Sequence, residues 1–134
     1  MTKPVFVIDG RNFDSLAGFF DEVGTSLGTS PWGRNLNAFN DILRGGFGTP
    51  DGGFVLRWVS SDVSRAVLGY EATARHYESL LQSYHPANVQ HVSHDLAAAR
   101  RGEGQTLFDI VVEITRDHGP GGNEHESGVD LELT

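Results

Sequence analysis

The sequence predicts an α/β fold: a two-layer, three-stranded parallel sheet covered by helices. Three observations predict it. Apolar runs of strand length occur at residues 5–8, 54–59 and 106–114. The segments between them carry apolar residues at helical spacing, and strands alternating with helices build parallel sheets through right-handed crossovers. The chain has 134 residues, a length that suits one domain with a sizeable core.

The elements follow in order. Val5-Phe6-Val7-Ile8, ended by Asp9-Gly10, reads as a strand buried on both faces. Asp14 is the expected N-cap of a helix that lines up Leu16, Phe19, Phe20 and Val23. Gly24, Gly28 and Pro31 end it in a turn-rich connection. Asn35 caps a second helix with Leu36, Phe39, Ile42 and Leu43 facing inward, and Gly45-Gly46 stops it. A glycine-rich loop leads to Phe54-Val55-Leu56-Arg57-Trp58-Val59, the second strand. Ser61 or Asp62 opens a short helix over residues 63–68. A longer helix spans residues 71–84, with Ala74, Tyr77, Leu80 and Leu81 on one side, until Pro86 breaks the pattern. Ser93-His94-Asp95-Leu96 opens an alanine-rich helix that Gly102 closes.

Residues 106–114 are the expected third strand. After the break at Gly119-Pro120-Gly121-Gly122, Val129-Asp130-Leu131-Glu132-Leu133 alternates strictly. That alternation predicts a half-buried strand returning antiparallel along the sheet edge. Residues 1–116 are therefore read as the main domain and 117–134 as an acidic C-terminal extension.

The composition, 38% hydrophobic and 10% aromatic, is that of an ordinary globular protein. Without cysteine there is no disulfide and no thiolate chemistry. Met1-Thr2-Lys3-Pro4 runs straight into the first strand without a signal-like apolar stretch, and no segment is as long as a membrane span. The expectation is a soluble cytoplasmic protein. The net charge is −8, unevenly placed. Up to Arg101 acids and bases nearly cancel, whereas from Gly102 onward eight acids face only Arg116. Such a protein is repelled by nucleic acid and drawn to basic partners.

The chain offers little to catalysis. A phosphate cradle needs backbone N–H groups where a strand passes into a helix. The glycine-rich stretch from Gly45 to Gly53 instead follows a helix and precedes a strand, without a Lys-Ser or Lys-Thr pair. His91-x-x-His94 has a ligand-like spacing but neither cysteine nor a His-Glu-x-x-His helix beside it, and His118 and His125 stand alone in the tail. No Gly-x-Ser-x-Gly occurs, and the carboxylates do not obviously converge. The expectation is a binding protein, not an enzyme, with no cofactor and no metal.

The second helix carries the distinctive pattern. With Leu36, Phe39 and Leu43 inward, Arg34, Asn37, Asp41 and Arg44 share the outer face and Asn40 borders them. A carboxylate on a rigid helix suits a cationic cleft, where it accepts charge-assisted hydrogen bonds. Nuclease active sites are such clefts. The plainer alternative is that Asp41 pairs with Arg44 on a solvated face.

Trp32-Gly33-Arg34-Asn35-Leu36-Asn37-Ala38-Phe39-Asn40-Asp41-Ile42-Leu43 resembles the hallmark of the barstar family. That hallmark runs aromatic, Gly, x, Asn, Leu, Asp, Ala, Leu, x, Asp, x, Leu. The strand before it and the strand at 54–59 fall where the family places them. The resemblance implies a barstar-like fold and an inhibitor that plugs the active site of a small basic ribonuclease and protects the cell that makes it. It also implies that Asp41 is the central anchor, with Trp32, Gly33, Arg34, Asn37, Asn40 and Arg44 around it in the partner-binding surface.

Four departures stand out. Asn37 replaces the first acid of the motif, Arg34 and Arg44 add positive charge, and Pro31-Trp32 replaces an aromatic doublet. The stretch between the second and third strands is longer than in well-known members, leaving Glu71 and Glu78 as candidates for a further acidic contact. The expected partner is a protein, bound by a monomer, with neither nucleic acid nor membrane engaged directly. An immunity protein for a different toxin, and a small nucleotide- or metal-binding enzyme, are the competing readings.

Overall fold

A computed structural model describes residues 3–29, 32–45, 49–50, 52–83 and 89–134. The turn residue Pro31, residues 46–48 and 51 of the glycine-rich loop, and the helix-ending positions Tyr84 and Pro86 lie outside the described residues.

Three strands, β1 (Val5–Asp9), β2 (Phe54–Val59) and β3 (Val129–Leu133), form one parallel sheet in the order β1-β2-β3. The register sets Val5 opposite Val55 and Val55 opposite Asp130. Among the described residues six α-helices accompany it: α1 (Leu16–Leu27), α2 (Leu36–Ile42), α3 (Ser61–Val67), α4 (Tyr70–Ser83), α5 (Val89–Arg100) and α6 (Leu107–Asp117). The α/β class and the three-stranded parallel sheet are as the sequence predicts.

The identity of the third strand is not. Residues 106–114, expected as a strand, form most of α6, and the tail supplies the third strand instead. Thr106 and Asp109 start α6 as a capping box: the Thr106 hydroxyl accepts from the Asp109 N–H at 3.1 Å, and the Asp109 carboxylate accepts from the Thr106 N–H at 3.0 Å. Leu107, Phe108, Val111, Val112 and Thr115 are its buried stripe, a helical spacing hidden within a β-branched run. Because α6 crosses back over the sheet, β3 runs parallel to β2, not antiparallel.

Smaller differences concern helix starts. Ser15, not Asp14, caps α1, accepting from the Gly18 N–H. Ser60 precedes α3 in a left-handed conformation and supplies no side-chain cap. Helix α5 begins at Val89, so His91 and His94 lie within it.

Alternation along the strands divides the sheet into two unlike faces. Ile8, Phe54, Leu56, Trp58 and Val129 point into a core shared with Phe19, Phe39, Leu68, Phe108 and Val111. Trp58 sits at its centre, stacked on Phe19 at 5.2 Å between ring centroids, with its indole N–H donating to the Ser64 hydroxyl at 3.0 Å. The other face is open: Val5 and Val7 are 45% and 47% exposed, and Arg57 pairs with Glu132 at 3.1 Å. Strand β1 is therefore buried on one face only, and the fold has two layers. Its outer edge is partly closed by α1, where the Glu22 carboxylate accepts from the Asp9 N–H at 2.9 Å and the Ser26 hydroxyl donates to the Val7 carbonyl at 2.5 Å.

Candidate protein-binding face on the second helix

Helix α2 has only seven residues and cannot persist on its own. Its caps and its core packing hold it. The Asn35 side chain accepts from the Ala38 N–H at 2.8 Å, closing the N-terminus. Phe39, Ile42 and Leu43 are 0–1% exposed and bind its inner side to the core. At the other end the Thr49 hydroxyl donates to the Ile42 carbonyl at 2.8 Å. Trp32, half-buried just upstream, meets Phe20 of α1 edge-on at 5.5 Å. The result is a short, firmly seated platform.

Its outer side presents Asn37 and Asp41, with Gly33 and Arg34 exposed at the approach and Arg44 at the exit. Arg34 adopts φ 55, a left-handed conformation, and its guanidinium pairs with Asp21 of α1. Arg44 holds two carboxylates: its Nη1 lies 2.8 Å from Asp41 Oδ1 and its Nε 2.5 Å from Glu124 Oε1. The plainer reading of the sequence, an Asp41–Arg44 pair, is therefore part of the structure. Both arginines are also offset by acids from other elements, so they do not make the face positive. The Asp41 side chain is 55% exposed despite its pairing.

Asn40 behaves differently from its neighbours. Half-buried, it turns toward His118 at the end of α6, whose Nε2 lies 2.7 Å from Asn40 Oδ1. His118 is 0% exposed, and its Nδ1 lies 2.9 Å from the Ser127 hydroxyl. A neutral ring with the proton on Nε2 satisfies both bonds: Nε2–H donates to Asn40, and the Ser127 hydroxyl donates to Nδ1. Burial lowers the His118 pKa below its usual value, the nearby Glu124 charge opposing that shift only in part. Glu124 Oε2 lies 3.5 Å from His118 Nε2, and the Asn40 side chain nearby favours the charged form of the Glu124 carboxyl. The hydrogen bond from Arg44 holds the Glu124 carboxyl below its ordinary range, and the same bond raises the Arg44 pKa.

Glu124 and His118 are the residues that sequence reasoning missed at this face. Both lie in the segment read as an acidic extension returning along the sheet edge, and only a correct α6 would have shown it reaching α2. The acids considered instead are elsewhere: Glu71 and Glu78 lie on α4, bonded to Arg75 at 3.0 Å and to Arg100 of α5 at 2.9 Å. His91 lies 3.7 Å from Asp95 on the outer side of α5. Among the described residues, no group of three or more His, Asp and Glu is placed to hold a metal ion. No helix of the described residues is long and apolar enough to cross a membrane.

A family model described as Barstar (barnase inhibitor) matches residues 3–102. The matched span runs from the start of β1 past the end of α5 and includes all of α2, while α6, the turn carrying Glu124, and β3 follow it. No curated protein sequence matches the chain.

Proposed function

Because this chain belongs to the barstar family, whose description is that of a barnase inhibitor, we propose that it binds a small basic ribonuclease and blocks its active site with the outer face of α2. In this reading it acts in the cytoplasm as a monomer, engaging one nuclease molecule and protecting the cell that makes both. The observation that carries the proposal is Asp41. Its carboxylate is half-exposed on a capped, core-anchored helix, so presenting it to a cationic cleft costs little ordering. The Arg44 pairing does not prevent this. An exposed ion pair contributes at most about 1 kcal/mol, and charge-assisted bonds in a water-poor nuclease cleft exceed that. The acids that offset Arg34 and Arg44 favour the same reading, because an overall acidic face steers a basic partner toward it.

The test is inhibition of RNA cleavage by ribonucleases encoded by the same source, with complex formation measured by calorimetry. Wild-type protein is expected to abolish cleavage by one of them. Asp41→Ala is expected to weaken that complex by at least about tenfold more than Glu126→Gln, a change at an exposed acid outside α2. Equal losses in the two variants would remove Asp41 from the anchor role. Capture of a toxin that does not cleave RNA, with no ribonuclease inhibited, would replace the nuclease reading with that of an immunity protein of another kind.

A further inference from the structure

The arrangement around Arg44 has a functional consequence that rests on the proposed role of α2. A carboxylate that must enter a partner's cationic cleft is ill-served by an arginine three residues away, just past the end of its helix. That arginine competes for the carboxylate and repels the incoming cations. Arg44 would be such a competitor if it had no other partner.

It has one. Glu124 takes the Nε edge of the guanidinium at 2.5 Å while Asp41 takes Nη1 at 2.8 Å. The two acids are not equally held. The Asp41 side chain is 55% exposed and the Glu124 side chain 27%. The Glu124 backbone N–H donates to the Asp117 carbonyl at 2.8 Å, and its Oε2 approaches buried His118 at 3.5 Å. The more enclosed acid is Glu124, and the more exposed one is Asp41.

We propose that Glu124 is a positioning residue for the α2 face, retaining Arg44 when Asp41 exchanges it for the partner's cations. Glu124 neutralises Arg44 in the complex and holds its side chain toward the 119–127 turn, leaving Asp41 free to turn outward. That turn lies beyond the span matched by the family model. Without Glu124, Arg44 would close fully onto Asp41, and drawing Asp41 toward the partner would leave an uncompensated positive charge on the binding face.

The experiment compares full-length variants against the ribonuclease that wild-type protein inhibits. Glu124→Gln keeps shape and hydrogen-bonding capacity and is expected to weaken binding by about tenfold, within the range of coupled charge pairs. Arg44→Met in the Glu124→Gln background is expected to recover that loss to within about twofold of Arg44→Met alone, because no competitor for Asp41 remains. A merely structural role for Glu124 predicts no recovery. Glu126→Gln makes the same charge change nearby, at an acid that acts on Arg44 through its charge but makes no hydrogen bond to it, and is expected to cost no more than about twofold. Equal losses for Glu124→Gln and Glu126→Gln, or no recovery in the double variant, would overturn the proposal.

A second readout needs no partner. The Glu124 carboxyl, followed by carbon NMR, is expected to titrate higher in Arg44→Met and to stay low in Asp41→Asn. An unmoved Glu124 in Arg44→Met overturns the proposal even if no ribonuclease binds. A moved Glu124 with no ribonuclease bound leaves the Arg44–Glu124 pair intact, and the failure then lies with the inhibitor reading and with the exchange built on it.

Discussion

Asn37 and Asp41 share the outer side of α2 one turn apart, and only Asp41 carries charge. The family motif has acids at both positions, so this chain presents a weaker negative face to a basic cleft. Restoring the acid is informative. Asn37→Asp places two carboxylates at i and i+4 and is expected to destabilise the free protein by about 0.5 kcal/mol through like-charge repulsion. The same change is expected to tighten binding to a strongly basic ribonuclease several-fold and to steepen its salt dependence. Thermal unfolding and calorimetry at two salt concentrations check both signs. If binding weakens while stability is unchanged, Asn37 makes a hydrogen bond in the complex that an acid cannot replace.

At the scale of elements, legibility depended on whether one residue pattern admitted two readings. Helix α2 was readable because Asn35, the inward Leu36, Phe39 and Ile42, and the polar outer residues all agree on one helix. Helix α6 was not, because Ile110, Val111, Val112 and Ile114 raise strand propensity across a run whose buried positions nonetheless repeat helically. The Thr106-x-x-Asp109 capping box was the available counter-signal, and it was outweighed by the apolar run. That misreading hid the rest of the site, since β3 and the Glu124 turn can be placed only when α6 is the crossover. The caps also carry a prediction. Asn35→Ala is expected to lower global stability by about 1 kcal/mol, and α2, with so few turns, then frays at the end that presents Asn37. Hydrogen exchange of the Ala38 amide should rise and partner binding should weaken. Unchanged exchange at Ala38 would show that the core contacts of Phe39 and Ile42 suffice without the cap.

For the whole molecule, the C-terminal segment is a structural member, because His118, Ser127 and β3 close the layer on which α2 rests. Two titrating layers follow from that construction. Burial lowers the pKa of His118 and of His76 in the folded state, so between the folded values and the ordinary 6.5 the unfolded chain binds more protons. Their contribution to stability is complete above about pH 7 and declines as pH falls below about 6.5. Asp9, held at about 2 by its bonds from Arg11, and Glu124, lowered by Arg44, act further down the scale. Their contribution is present above the ordinary carboxylate range and is lost as pH falls through it toward about 2. Thermal stability is therefore expected to fall in two stages on acidification. His118→Gln is expected to shrink the first stage while lowering stability at neutral pH by about 1–3 kcal/mol, since the buried partners Asn40 and Ser127 lose a matched ring. The double variant His76→Gln/His118→Gln should abolish the first stage and leave the carboxylate stage in place. A melting temperature for the wild-type protein that stays flat from pH 7 to pH 5 would mean that the folded protein takes up protons as readily as the unfolded chain, with the Glu124 charge cancelling the effect of burial at His118.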